Sequence, residues 1–366
     1  MVNGLRQGRV VDAVSKRSDF MPPLLKWYDA NVRPFPWRST RNPYKVWLSE
    51  IMLQQTRVKT VVPYYNDWVA KFPSIKSVAE TNMDSVLKMW EGMGYYARVR
   101  NFHSACLTVM NRFGGRVPDN YQDFHSLPGV GPYVAGAVMS IAYNFPIPAV
   151  DGNTYRVVSR IKSINLPFNR CNNKIVGFLS SHISLNRPGD FNQAIMDLGR
   201  EICTPKNPSC NICPIRKNCC AFVNNAVDKY PFRAKHKKTP HYMVAVGIVW
   251  KGNKILISKR KENGLLGGLW EFPGGKIQNG EDAKKCVIRK VNEKLGVRVR
   301  PVILIKQIKH AYSHFSITLD AYHCDYVGGS PRALKCDNWQ WILPEQIAGL
   351  PFSRANHKLF DQIQGD

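Results

Sequence analysis

The chain contains no apolar run approaching the roughly 18 residues of a membrane-spanning helix, which excludes a helical membrane protein. Its first 19 residues are basic but carry no apolar block, so no secretory signal is visible; a cleaved transit peptide is the other reading of such a segment. Acidic residues are scarce: 52 Lys and Arg stand against 26 Asp and Glu, a net charge of +26. A field of that sign favours polyanions. With no basic amphipathic helix in view, the expected partner is nucleic acid rather than an anionic membrane. There is no internal repeat and no low-complexity tract. Few stretches before residue 222 alternate with period two, so half-buried strands are not expected there.

What is present divides the chain. A length of 366 residues suggests two domains. Residues 20–222 read as helices, among them "YYARVRNFHSACLTVMNRFGG", "GPYVAGAVMSIAYNF" and "DFNQAIMDLGREIC". Residues 223–240 read as a basic linker with two prolines and Lys229, Arg233, Lys235, Lys237 and Lys238. From 241 to about 360 the pattern becomes α+β. Strands "YMVAVGIVW" and "KILISKR" flank a Gly252-Asn253 turn, the helix "EDAKKCVIRKVNEKLG" follows, and then come "RVRPVILIKQIK" and "SITLDAYHC".

Three motifs carry chemistry. The stretch "NPYKVWLSEIMLQQTRVKTVVPYY" reads as one helix, capped by Asn42, started by Pro43 and stopped by Pro63. It places Glu50 among Val46, Trp47 and Leu53, and a carboxyl buried there holds its proton more tightly. In "FHSLPGVGPYVAGAV", Gly129 and Gly131 allow a tight turn between two helices, whose following amides can grip a phosphate without reading sequence. In "IPAVDGNTYRVVSR", Asp151 is an N-cap candidate, its carboxylate fixed by backbone amides. Arg98, Arg100 and the linker cations are further candidates for phosphate contacts.

Of ten cysteines, Cys203, Cys210, Cys213 and Cys219 fall within 17 residues in a Cys-x6-Cys-x2-Cys-x5-Cys spacing. Without a signal peptide this is not a disulfide framework. Four thiolates so grouped suit tetrahedral zinc or an iron–sulfur cluster, and spacing leaves both open.

The order "LSEIMLQQTRV", "EGMGYYARVRN", "LPGVGPY", "AVDGNTYRVVSR" and the four-cysteine loop resembles the helix–hairpin–helix DNA glycosylases, and within them the MutY-type adenine DNA glycosylases. The likeness runs from about Phe20 to about Phe352. It implies an all-α catalytic lobe with a [4Fe-4S] cluster at 203–219, held by the four cysteines. It implies that Glu50 is the general acid and Asp151 the essential aspartate, supported by Tyr133 and Asn153. Gln55 and Tyr95 match residues that intercalate, Thr56 and Met93 residues that touch the opposite base, and Trp37, Arg33 and Gln193 lie near an adenine pocket. In the strand-cleaving branch a lysine occupies the position of Tyr133, so a monofunctional enzyme is implied.

The C-terminal part resembles a Nudix fold. Gly275, Glu281, Arg289, Glu293 and Gly296 of "GKIQNGEDAKKCVIRKVNEKLGV" match the Nudix box, whereas Lys290 and Lys294 replace carboxylates that would hold Mg²⁺. Hydrolysis is therefore not expected, and the domain reads as a recognition module. "HAYSHF" resembles the loop that checks for 8-oxoguanine: Ser313 and His314 match, and Tyr312 stands where Phe is usual.

The expectation is thus a multi-domain, monomeric enzyme that removes adenine opposite 8-oxoguanine or guanine in duplex DNA. It would be cytoplasmic and nucleoid-associated in a bacterium, nuclear or organellar in a eukaryote, and not bound to membrane. Two alternatives are a related glycosylase for another mismatched base, such as thymine, and a non-catalytic damage-binding protein, against which Glu50 and Asp151 argue.

Overall fold

The computed structural model describes residues 19–234, 239–312 and 314–364. Helices run α1 (Met21–Asn31), α2 (Pro43–Leu53), α3 (Val58–Lys71), α4 (Ile75–Ala79), α5 (Met83–Met89), α6 (Ala97–Phe113), α7 (Tyr121–His125), α8 (Pro132–Tyr143), α9 (Gly152–Lys162), α10 (Phe168–Ser180), α11 (Pro188–Glu201) and α12 (Cys220–Val223). Beyond the linker come β1 (His241–Lys251), β2 (Lys254–Lys259), β3 (Trp270–Glu271), β4 (Gly274–Lys276), α13 (Ala283–Leu295), β5 (Arg298–Ala311), β6 (Ser316–Gly328), β7 (Asn338–Ile342) and short α14 (Arg354–His357) and α15 (Asp361–Gln364). An all-α lobe and an α+β domain are both present. Among the described residues no helix is long and apolar enough to cross a membrane.

The chain packs as two compact units that do not simply follow the linker. One comprises the described residues of Met1–Gln55 and Asn111–Lys235; the other joins Thr56–Met110 to the C-terminal domain. In the first, Leu24, Val158, Ile175, Leu179, Phe191, Ile195 and Leu198 form a core that α1, α9, α10 and α11 share.

In the second unit the sheet runs β3-β2-β1-β6-β5, with β4 on β1 and β7 on β2. The pair β1 and β6 is parallel and the other pairs are antiparallel. Period two along β1 and β2 divides two cores. Val246, Ile248, Ile255 and Ile257 pack with Phe352, Leu359 and Phe360, while Ala245, Val249 and Leu256 pack with Val287, Val291 and Leu295 of α13.

One expected helix is two. Asn42 does cap α2, accepting from the Lys45 amide at 3.2 Å, and Pro43 begins it. The helix ends at Leu53, however: Gln54 leaves helical backbone and Gln55 has φ +56°. Pro63 lies inside α3, which starts at Val58. A proline there forfeits one backbone hydrogen bond, but buried Val61, Tyr65 and Trp68 hold the helix through it, with Trp68 edge-on to Trp90 at 5.7 Å.

Candidate active site

Glu50 is on the buried face of α2, which packs against α8. Trp47, one turn earlier, meets Phe124 of α7 edge-on at 5.2 Å. This apolar surrounding leaves Glu50 only 6% exposed. Burial, helped by the nearby charge of Asp151, raises its pKa to about 7 against the opposing hydrogen bond from Tyr133 and the charge of Arg38. The Tyr133 hydroxyl donates to Glu50 Oε2 at 2.5 Å and lies 3.8 Å from Met196 Sδ. Tyr133 is the second residue of α8, so the hairpin that turns the chain also delivers this hydroxyl.

Of the two hairpin glycines, Gly129 has φ +75°, a left-handed conformation that favours glycine. Gly131 is not needed for its backbone. It is the extended N-cap of α8 at φ −87°, and an added Cβ would meet nothing within 4 Å.

Asp151 is the N-cap of α9, as its sequence position suggests. Its Oδ1 accepts from the Thr154 amide at 2.7 Å and its Oδ2 from Asn153 Nδ2 at 2.8 Å. Asn153 is held in turn: its Oδ1 accepts from Arg156 Nη2 at 2.9 Å, and Arg156 also reaches Gly199 O at 2.6 Å and Cys203 O at 2.7 Å. Gly199 permits this approach, because a Cβ there would meet Asn153 Cβ at 2.7 Å.

The residues expected near a base pocket each have a protein partner. Trp37 is buried and stacks on Phe35 at 5.2 Å. Arg33 pairs with Glu201 at 2.9 Å and is 59% exposed, and Gln193 Nε2 turns to Gly189 O at 3.4 Å. The cation acting on Glu50 is Arg38, which sequence reading missed. Arg38 is itself held by buried Asp197 at 2.8 Å, and Arg200 joins Asp197 at 3.0 Å. The available signal was Asp197 in "IMDLG", a carboxylate beside the apolar stripe of α11.

The four cysteines line one cavity together with Arg160, Val157, Leu198 and Ile215. Cys220 is not in that lining. Among the described residues no group of three or more His, Cys, Asp or Glu side chains is arranged to hold a metal ion. Arg160 is 1% exposed; its Nη1 lies 3.2 Å from Cys203 Sγ and its Nη2 has no hydrogen-bond partner. A buried cation with an unfilled donor beside four thiols suits an anionic group held on the thiolates.

In the second unit Tyr95 has φ +49°, strained for a tyrosine. Arg98 lies over the rings of Trp90 and Tyr95 at 5.3 and 5.4 Å and donates to Thr56 Oγ1 at 3.1 Å. Burial pushes its pKa down to about 10. Met93 is buried. The loop splits: the His314 ring is edge-on to Tyr95 at 6.2 Å, whereas Tyr312 stacks on Phe315 at 4.6 Å. Ser313 lies outside the described residues, as do Lys235, Lys237 and Lys238 of the linker.

Arg98 and Arg100, candidates for phosphate contacts, bond to protein groups in this structure. Arg98 commits donors to Thr56 and Gly94 O, and Arg100 donates to Gly267 O at 2.6 Å and Glu262 O at 3.1 Å. Backbone of the C-terminal domain covers that turn of α6, which a helical pattern alone cannot reveal.

Residues 48–167 match the HhH-GPD superfamily base excision DNA repair protein family, and residues 245–362 match the NUDIX domain. The adenine DNA glycosylase of Rattus norvegicus is 31% identical over 399 residues, covering 92% of this chain and 76% of that protein. That of Buchnera aphidicola subsp. Baizongia pistaciae (strain Bp) is 34% identical over 312 residues, covering 82% and 84%. A solved thermostable thymine-DNA glycosylase superposes with a TM-score of 0.53 at 30% identity, covering 56% of this chain and 95% of its own.

The chain belongs to the adenine DNA glycosylase family.

It is thus a DNA glycosylase of the helix–hairpin–helix class with a Nudix-like C-terminal domain. As an adenine DNA glycosylase family member it carries a Nudix box whose remaining carboxylates are taken up by cations. Hydrogen bonds from Arg289 hold Glu281 down at about 2, and Lys290, with Arg289 and Lys335, does the same for Glu293. Lys294 pairs with Glu271. Glu293, the one carboxylate of α13, is ion-paired to Arg289, Lys290 and Lys335.

Proposed function

We propose that this enzyme hydrolyses the N-glycosidic bond of adenine opposite 8-oxoguanine or guanine in duplex DNA, as a monofunctional glycosylase acting as a monomer. The reading rests above all on Glu50, a buried carboxyl with a pKa near 7 that is hydrogen-bonded to Tyr133 and senses the charge of Asp151. Adenine leaves poorly unless protonated, and a carboxyl of that pKa carries a proton at neutral pH for delivery to N7. Tyr133 orients the carboxyl. As the C1′–N9 bond stretches, the sugar gains oxocarbenium character, and Asp151 stabilises it with a carboxylate fixed by Thr154 and Asn153. Glu50, having given up its proton, then activates water, the division of labour between two carboxyls seen in glycoside hydrolysis.

The adenine first leaves the stack, which costs a few kcal/mol. Gln55 and Tyr95, both in left-handed backbone, are the residues proposed to fill the gap. Thr56 and Met93 face the opposite base, and Trp37 and Gln193 with Arg33 border the adenine pocket. Tyr133 offers no amine to attack the sugar, which favours simple hydrolysis. Cys203, Cys210, Cys213 and Cys219 are proposed to hold a [4Fe-4S] cluster, which stabilises the loop and α12 when bound.

Recognition of 8-oxoguanine is assigned to Ser313 and His314, with Tyr95 beside the His314 ring. The test is single-turnover adenine release from duplexes carrying A opposite 8-oxoguanine, G, C and T, wild type against Ser313→Ala/His314→Ala. One lost base contact is worth about 1 to 3 kcal/mol, so preference for 8-oxoguanine over G should drop by roughly tenfold to a hundredfold. An unchanged ratio moves recognition to Thr56, Met93 and Tyr95.

A further inference from the structure

The turn that follows α5 is made of backbone that side chains rarely adopt. Gly92, Gly94 and Tyr95 have positive φ, at +92°, +73° and +49°. Glycine tolerates this freely. Tyr95 does not, and a strained residue persists only where its surroundings over-determine it. The far end of the turn is tied locally: Trp90 Nε1 and Arg98 Nη2 donate to Gly94 O at 3.0 and 3.2 Å. The near end is tied from the C-terminal domain.

Glu91 stands between Trp90, the C-cap of α5, and Gly92. Its side chain is 14% exposed. Oε1 accepts from the Phe352 amide at 2.7 Å. His357 Nε2 lies 2.7 Å from the same oxygen and meets no other hydrogen-bond partner among the described residues. Oε2 accepts from Lys88 Nζ at 2.6 Å, and that ammonium also reaches Leu350 O at 3.2 Å. Burial by itself raises the carboxyl, but His357, Lys88 and the Phe352 amide outweigh it and hold Glu91 below its ordinary value. The main chain is fixed as well, because Glu91 O accepts from the Tyr64 hydroxyl at 2.7 Å.

The groups that grip the carboxylate belong to a packed core. Phe352 is fully buried, bridges to Trp270 of β3 and meets the rings of Phe272 and Phe360 at 5.6 and 5.4 Å. His357, the last residue of α14, lies against Phe360 at 4.5 Å. The fit is close beside the turn: a Cβ on Gly92 would meet the Tyr64 hydroxyl at 2.5 Å and Arg354 Nη2 at 3.1 Å. No step of the glycosylase chemistry uses Glu91.

We propose that Glu91 is a positioning residue for Tyr95. Clamped by Phe352 and His357, it fixes the point where the chain leaves α5 and so holds the strained tyrosine where it enters DNA. The C-terminal domain thereby acts on the turn of the helical segment through one carboxylate, apart from its own 312–314 loop. The inference rests on the reading of Tyr95 as an intercalating residue.

The test is a double-mutant cycle of Glu91→Ala and Tyr95→Ala in the full-length protein. It is read as single-turnover adenine release at saturating enzyme from a duplex carrying A opposite 8-oxoguanine. Misplacing a positioned group by about 1 Å can cost up to roughly a hundredfold in rate, so Glu91→Ala should slow release about tenfold when Tyr95 is present. In the Tyr95→Ala background the same change should cost less than about twofold, because the group it positions is gone. If thermal unfolding shows that Glu91→Ala is misfolded, His357→Ala takes its place in the cycle, with a slowing of about threefold expected from the loss of one of the clamping groups. A merely structural loss would slow release by the same factor in both backgrounds, and that result overturns the proposal while leaving Tyr95 in its role. Release at the wild-type rate from the folded single variant overturns it too. Release at the wild-type rate from Tyr95→Ala alone removes the intercalation reading, and this inference falls with it.

Discussion

The hydroxyl of Tyr133 donates to Glu50 Oε2 at 2.5 Å, joining the start of α8 to the buried face of α2. Burial raises the carboxyl and this bond lowers it, so Tyr133 sets how far the proton affinity of Glu50 rises.

Glu50→Gln should abolish adenine release while leaving duplex binding nearly intact, because an amide of the same shape cannot donate the acid proton. General acid catalysis is worth about 10² to 10⁴ in rate. Single-turnover kinetics beside a binding titration check this; a tenth of the wild-type rate surviving in the variant would sink the assignment.

The rate should fall as pH rises through about 7, where Glu50 loses its proton. Tyr133→Phe deletes a bond that favours the carboxylate, so the falling limb should move to higher pH. The same shift has a stability consequence. A carboxyl whose folded pKa is raised from 4.5 to about 7 costs stability as pH climbs between those values, because the folded state alone keeps the proton. At 1.36 kcal/mol per unit the cost is on the order of 3 kcal/mol at pH 8. Glu50→Gln should therefore unfold later than wild type at pH 8 and gain little at pH 4.5, as thermal melts at the two pH values would reveal.

Purified protein should contain about four iron atoms per chain and absorb broadly near 400 nm, as Cys₄-ligated clusters do. Cys210→Ser, altering the cavity lining, should lose iron and solubility, while Cys220→Ser, outside that lining, should keep both. Zinc in protein made anaerobically with ample iron would overturn the cluster assignment.

Duplex binding should weaken steeply with salt, by about 0.9 in log–log slope per phosphate contact. Arg100 is bonded to Gly267 O and Glu262 O, so Arg100→Gln should leave that slope unchanged within one contact. A loss of a full unit would show that the side chain leaves the protein for DNA.

Arg156→Ala should slow the chemical step without changing duplex affinity, since Arg156 touches Asn153, which holds Asp151. Arg156→Lys should recover only part of the rate, as one ammonium cannot serve Asn153, Gly199 O and Cys203 O together.

Much of this was legible in the chain. The Asn42 cap, the Asp151 cap, the small-residue helix after Gly131, the four clustered cysteines and the alternation of β1 and β2 are local signals, and each stands where spacing and residue type put it. They depend on backbone geometry over a few residues, which neighbouring side chains dictate. What lay outside local reach was decided by packing. Nothing between Asn42 and Pro63 marks the break after Leu53, and buried Val61, Tyr65 and Trp68 keep exposed Pro63 inside α3. The cation acting on Glu50 is Arg38, held by Asp197, which is distant in sequence. The covering of Arg100 by residues 262–268 and the meeting of Lys276, Lys290 and Asn356 around one pocket likewise join segments far apart in the chain. Local sequence settled most of the helices and strands and what residue types they offer. Burial, and with it the pKa of Glu50 and the partners of each arginine, is a property of the surroundings, and those exist only once the chain has folded.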